Sequence, residues 1–277
     1  MKTFTISTKR GNIEFVSKGK GIPVLFIHGG HSNCKETLLH KGFDLTKFNA
    51  IVASRPGYGK TTLNNNESPR QAAALFIELL DYLNLEKVII YGISAGGLTA
   101  IELAGNFPER VNKLILASAV SKKWLDPNGK IYKTTKKLFH PGTERIVWGM
   151  IRFFSLLTPG LIAKSFYTQF TTNLPHKLNK SDVKELTHTF KYFRSKKGFL
   201  NDVDQNTDDV IITKIKCPAL IVHSKNDKSV SYEHALHSNK MIKNSELLSL
   251  DNEWGHLFWI GADSKKTIEK IIEFIGR

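Results

Sequence analysis

Short β-branched apolar runs alternate along the chain with amphipathic stretches, the pattern of a mostly parallel sheet with helices on both faces. Phe4–Thr8, Asn12–Ser17, Pro23–Ile27, Ala50–Ser54, Lys87–Tyr91, Lys113–Ala117, Ala219–His223 and Glu246–Leu250 predict eight strands, the first two paired as a hairpin around Arg10 and Gly11. Arg70–Asn84 places Ala74, Leu75, Ile77, Leu79, Leu80 and Leu83 largely on one helical face, and Ser68-Pro69 supplies the start signal. A second helix carries Leu98, Ile101 and Leu103 and stops at Phe107-Pro108. A terminal helix carries Ile268, Ile271, Ile272 and Phe274.

From about Ser121 to Asn206 the alternation fails: aromatic clusters and lysines recur without a clear strand. This predicts an α/β core of residues 1–120 and 207–277 interrupted by a helical cap, residues 121–206. The cap follows strand Lys113–Ala117 and rejoins the sheet at Ala219, so it is expected over the carboxyl ends of the strands, where open α/β sheets bind ligands.

Composition narrows the class further. With 277 residues, 41% hydrophobic and 23% charged, the chain can bury a large core, and disorder or collagen-like repeats are excluded. Two cysteines, Cys34 and Cys217, make no disulfide framework at this length, which suggests a reduced, cytoplasmic setting. The first ten residues lack the apolar core of a secretory signal. The most membrane-like stretch, Val147–Ala163, is interrupted by Arg152 and Pro159-Gly160, so no spanning segment is expected. The net charge of +15 is uneven: Lys122–Leu200 holds 16 Lys and Arg against 4 Asp and Glu, a local +12 that leaves only +3 elsewhere.

The strongest chemical signal is Gly92-Ile93-Ser94-Ala95-Gly96 between the strand at Lys87–Tyr91 and the following helix. A serine on so sharp a turn needs small residues two before and two after it, and the helix N-terminus beyond favours developing negative charge. Alone, the motif also fits a glycine-rich turn with a solvated serine; the flanking strand and helix separate the two readings. Gly59-Lys60-Thr61 resembles the end of a phosphate-binding loop, but the first glycine of that motif would fall on Ser54 and Pro56 occupies the loop, so nucleotide binding is not expected.

These residues resemble the α/β-hydrolase family, and the likeness extends along most of the chain outside the insertion. His28-Gly29-Gly30 is similar to the family's histidine-glycine loop, and Ser54-Arg55-Pro56-Gly57-Tyr58-Gly59 to the turn that shapes the floor beside its active site. The resemblance implies Ser94 as nucleophile, with the amides of Gly30 (His31 as fallback) and Ala95 as the oxyanion hole, and His28 as a structural residue of its loop. A serine hydroxyl needs a histidine base, and the base needs a carboxylate. In the family's order, Asp227 after strand Ala219–His223 and His256 after the last strand match those roles; Asp251 and Glu253 are rivals for the acid but lie too near His256 along the chain.

The implied chemistry is acyl transfer through a Ser94–His256–Asp227 triad, first of all carboxylic-ester hydrolysis. Carbon–carbon bond, lactone or thioester hydrolysis on the same triad, and a non-catalytic ligand-binding module, are the alternatives. No metal and no cofactor are expected: the remaining histidines, including His223, His234 and His237, form no metal-spaced cluster. The expected partner is a small ester-type substrate with a hydrophobic acyl part, for which Trp148–Leu157 offers either a pocket wall or the cap's own core. Nucleic acid is not expected. The basic cap is read first as a solvated lysine-rich face, with weak contact to anionic membranes as the sharper reading.

Overall fold

A computed structural model describes residues 2–174 and 178–277. Eight strands form one sheet: β1 (Phe4–Thr8), β2 (Gly11–Gly19), β3 (Ile22–Ile27), β4 (Phe48–Ala53), β5 (Val88–Ile93), β6 (Val111–Ala117), β7 (Ala219–Ser224) and β8 (Ser245–Leu250). Their order is β1-β2-β4-β3-β5-β6-β7-β8. The β1–β2 and β2–β4 pairs are antiparallel and the rest parallel. The expected eight-stranded, mostly parallel sheet is therefore present. The shift that bears on the site lies in β5, which runs two residues past the predicted end to Ile93 and so delivers Ser94 directly from the strand.

Alternate residues of the central strands enter two separate cores, as the two-residue period requires. On one face Leu25, Ile27, Ile51, Ile90, Leu114, Leu116 and Ile221 pack under α1 (Pro69–Tyr82) and α2 (Gly97–Asn106). On the other, Val24, Phe26, Val52, Tyr91, Ile115 and Val222 meet α10 (Ser264–Gly276) and Phe258-Trp259. α1 starts with a reciprocal cap: Ser68 Oγ accepts from Gln71 N at 3.2 Å, and Gln71 Oε1 accepts from Ser68 N at 3.0 Å.

Between β6 and β7 the chain forms α3 (Lys130–Leu138), α4 (Glu144–Leu157), α5 (Pro159–Phe170), α6 (Lys180–Thr189), α7 (Gly198–Asp202) and α8 (Asp209–Thr213); α9 (Glu233–Met241) lies between β7 and β8. This helical segment has a cluster of its own, Trp148, Ala163, Tyr167, Leu186 and Phe190, closed by Trp254 and Ile260 from the loop after β8. Backbone bonds tie it to loops at the strand ends: Arg194 N to His31 O at 2.7 Å, Gly198 N to Gly57 O at 3.1 Å and Thr172 N to Asn226 O at 2.9 Å. It therefore stands over the carboxyl ends of β3, β4 and β7. Among the described residues no helix is long and apolar enough to cross a membrane.

Candidate active site

The register of the central strands brings four loops together. Ile93 pairs with Ala117, which pairs with Val222, and Ser224 pairs with Leu250, so the residues after β5, β6, β7 and β8 emerge side by side.

Ser94 follows β5 with φ +50°, a left-handed conformation strained for a residue with a side chain. The neighbouring elements leave no room for larger flanking residues. A Cβ at Gly92 would stand 2.4 Å from Ala100 Cβ, and one at Gly96 would stand 2.3 Å from Ile27 O. Ser94 O accepts from Val120 N at 2.9 Å, which fixes the turn against the end of β6.

Asp227 lies in the turn after β7 with its side chain fully buried. Its Oδ1 accepts from the amides of Ser229 and Val230 at 2.9 and 2.8 Å, and its Oδ2 accepts from His256 Nδ1 at 2.7 Å. Burial alone would raise this carboxyl, but the facing imidazoles of His256 and His223 hold it below its usual value, so it stays ionised. A carboxylate only accepts, so His256 Nδ1 carries a proton, and in the neutral imidazole that leaves the lone pair on Nε2. The His256 main chain is held as well: its N donates to Phe170 O at 2.9 Å, and its O accepts from Ser118 Oγ at 3.0 Å. The Phe170 ring stacks on the imidazole, centroids 5.7 Å apart at 15°.

Asp227 and His256 are thus in direct contact, while Ser94 Oγ makes no hydrogen bond to His256 among the described residues. Ser94 is tied to Val120 and His256 to Ser118, so the two are held above the same strand end. A base that engages its nucleophile only in the substrate complex is common in resting sites. The Gly30 and Ala95 amides donate to none of the turn, loop or cap bonds among the described residues. Gly29 packs on the serine; a Cβ there would approach Ser94 Cβ to 2.9 Å. His28 holds its loop, as expected, by accepting from Arg55 N through Nε2 at 2.9 Å.

Sequence reasoning missed three features. His223 Nε2 reaches Asp227 Oδ2 at 3.1 Å and Val230 O at 2.9 Å, so it gives the acid a second imidazole; its i, i+4 spacing to Asp227 is the only signal the sequence carried. Asp202 of α7 grips Arg55 with two bonds of 2.7 and 2.6 Å and accepts from Tyr58 at 2.5 Å, a buried cluster whose partners lie 147 residues apart in sequence. His31 is enclosed by Phe139, Trp148 and Phe199, and burial pushes its imidazole down to about 3. Trp148 Nε1 donates to Ser195 Oγ at 2.7 Å, leaving that hydroxyl to donate to His31 Nδ1 at 2.6 Å.

Of the two readings of Trp148–Leu157, pocket wall or core of the cap, Trp148 takes the second, since it lies in the helical segment's own cluster. Trp148 is buried beside His31, but Phe153, Phe154, Leu156 and Leu157 are exposed on the far side of α4. Cys34 is buried and its thiol is pushed up to about 12, so it is inert as a nucleophile near neutral pH.

Comparison with known proteins agrees with this architecture. Residues 22–142 match the family described as alpha/beta hydrolase fold. The uncharacterized hydrolase YcgS of Bacillus subtilis is 36% identical over 98% of this chain and 97% of its own length. The 2-hydroxy-6-oxononadienedioate/2-hydroxy-6-oxononatrienedioate hydrolase 1 of Pseudomonas putida is 26% identical over 94% of this chain and 90% of its own length. An alpha/beta hydrolase fold protein from Nakamurella multipartita superposes with a TM-score of 0.78 at 26% identity, covering 98% of both chains.

Proposed function

Since this chain belongs to the α/β-hydrolase fold family, we propose that it is a serine hydrolase whose first substrate class is a carboxylic ester with a hydrophobic acyl part. The observation that carries the reading is the 2.7 Å bond from His256 Nδ1 to a buried, ionised Asp227, formed at the strand ends beside a serine held at φ +50°.

In the proposed cycle Ser94 Oγ attacks the substrate carbonyl and passes its proton to His256 Nε2. Asp227 holds the imidazole in the required tautomer and stabilises the imidazolium. The amides of Gly30 and Ala95 face the developing oxyanion, a contact that strengthens as charge builds. His256 then protonates the leaving alcohol, and water, activated by the same base, clears the acyl-enzyme. Val120, Trp124, Phe170 and Val230 supply apolar side chains around this centre. Residues 121–206 act in this reading as a lid, since Ser94 and His256 are only 7% and 5% exposed beneath them.

Carbon–carbon bond hydrolysis is the second reading, favoured by the similarity to the Pseudomonas putida hydrolase. Release of a chromophoric alcohol from short- and medium-chain esters, compared between wild type and Ser94→Ala, tests the ester reading. Serine-dependent ester turnover supports it. A dienedioate ketone cleaved while every ester is refused would replace it with the second reading.

A further inference from the structure

The outer face of α4 and its elbow with α5 are more apolar than solvation alone accounts for. Ile146, Met150, Phe153 and Leu157 recur at three- and four-residue spacing and are all exposed. Trp148 and Ser155 occupy the opposite side of the helix and are buried. The elbow adds Leu156 and Leu161, 83% and 69% exposed, and Phe153 and Phe154 brace each other with ring centroids 5.4 Å apart. Because the Trp148 side faces His31, this face points away from Ser94 and is no part of an acyl pocket.

The chain segment that forms it carries one sign of charge. From Arg145 to Ser181 the chain has no Asp or Glu; Arg145 is exposed at the start of the apolar stripe, next to Ile146, and Lys164 is exposed one turn beyond Leu161. Glu144, at the start of α4, is buried and bonded to Arg194 at 2.7 Å, so it offers no negative charge outward. A second copy of this face would set cation against cation. An anionic surface with an apolar interior meets both features at once: leucine and phenylalanine side chains enter the acyl boundary while arginine and lysine stay among the headgroups.

We propose that the α4–α5 elbow is a docking surface for anionic lipid bilayers, with Phe153, Phe154, Leu156, Leu157 and Leu161 inserting and Arg145 and Lys164 reading headgroup charge. The surface stands independently of the chemistry proposed at Ser94.

The test is sedimentation of the full chain with vesicles of phosphatidylcholine alone and of phosphatidylcholine mixed with phosphatidylglycerol, at low and high salt. The expected result is binding to the mixed vesicles only, weakened by salt. Leu156→Ser combined with Leu157→Ser should lower partitioning by about tenfold or more through the lost apolar area. Arg145→Gln combined with Lys164→Gln should lower it less and flatten the salt dependence. Circular dichroism of each variant checks that the fold is kept. Equal recovery with neutral vesicles, absence of binding, or binding indifferent to the leucine pair on a folded variant would each overturn the proposal. So would lipid-free self-association, seen by light scattering and abolished by the leucine pair, since the face would then belong to a second copy.

Discussion

The sheet and the helical segment above it solve the same problem by opposite means. In the sheet, alternating side chains fill a core on each face, and the residues of the candidate site are delivered by strand register and by tight turns such as Gly92–Gly96. The helical segment has a small core and leans on discrete polar ties: Arg55 to Asp202, Arg194 to Glu144, and Trp148 through Ser195 to His31. It also leaves leucines and phenylalanines in solvent. A dense apolar core tolerates little movement and suits a site that must hold its geometry, whereas a segment held by a few ties can be displaced as a unit.

That contrast is broken most severely at the site. Ser94→Ala should lower hydrolysis by about 10⁶-fold, and Asp227→Asn by about 10⁴-fold, because His256 retains its place but loses its tautomer. Initial rates on a shared ester measure both. If either variant keeps near wild-type turnover, the sheet ends do not carry the chemistry.

A cut at the seam should be next. Asp202→Ala leaves Arg55 charged and buried without its partner, and is expected to destabilise by about 3–5 kcal/mol, read from urea midpoints. An unchanged midpoint would mean that the segment does not depend on this tie.

Acid should loosen the same seam more gently. The folded His31 imidazole is depressed from 6.5 to about 3, so the unfolded chain takes up this proton first. The stability present above pH 6.5 is therefore lost as pH falls toward 3. His31→Phe should flatten the stability profile in that window. An identical profile would show that His31 does not contribute to the acid sensitivity of the fold.

Smallest of all, Leu156→Ser with Leu157→Ser should change the unfolding free energy by no more than about 0.5 kcal/mol per substitution, since both side chains are exposed. A large loss would show that the apolar face is packed after all.

The two regions were also unequally legible in the sequence. Strands such as Pro23–Ile27 announce themselves because a buried parallel strand needs a continuous apolar run, and Ser94 is visible because its turn demands glycine on both sides. Asp227 and His256 were reached through their order after strands, a family likeness that local pattern alone does not supply. The grip of Asp202 on Arg55 left no trace, because residues 147 apart in sequence share no periodicity. His223 was passed over because its partner is a carboxylate already assigned to His256. The outward turn of Phe153 and Leu157 was equally hidden: helical spacing gives an apolar stripe but not the side it faces.

Whether Ser94 is an activated nucleophile is tested, whatever the substrate is, by intact-mass analysis after treatment with a small fluorophosphonate. One adduct is expected on the wild type and none on Ser94→Ala. A folded wild type that gains no adduct, or a Ser94→Ala variant that gains one, would contradict that role.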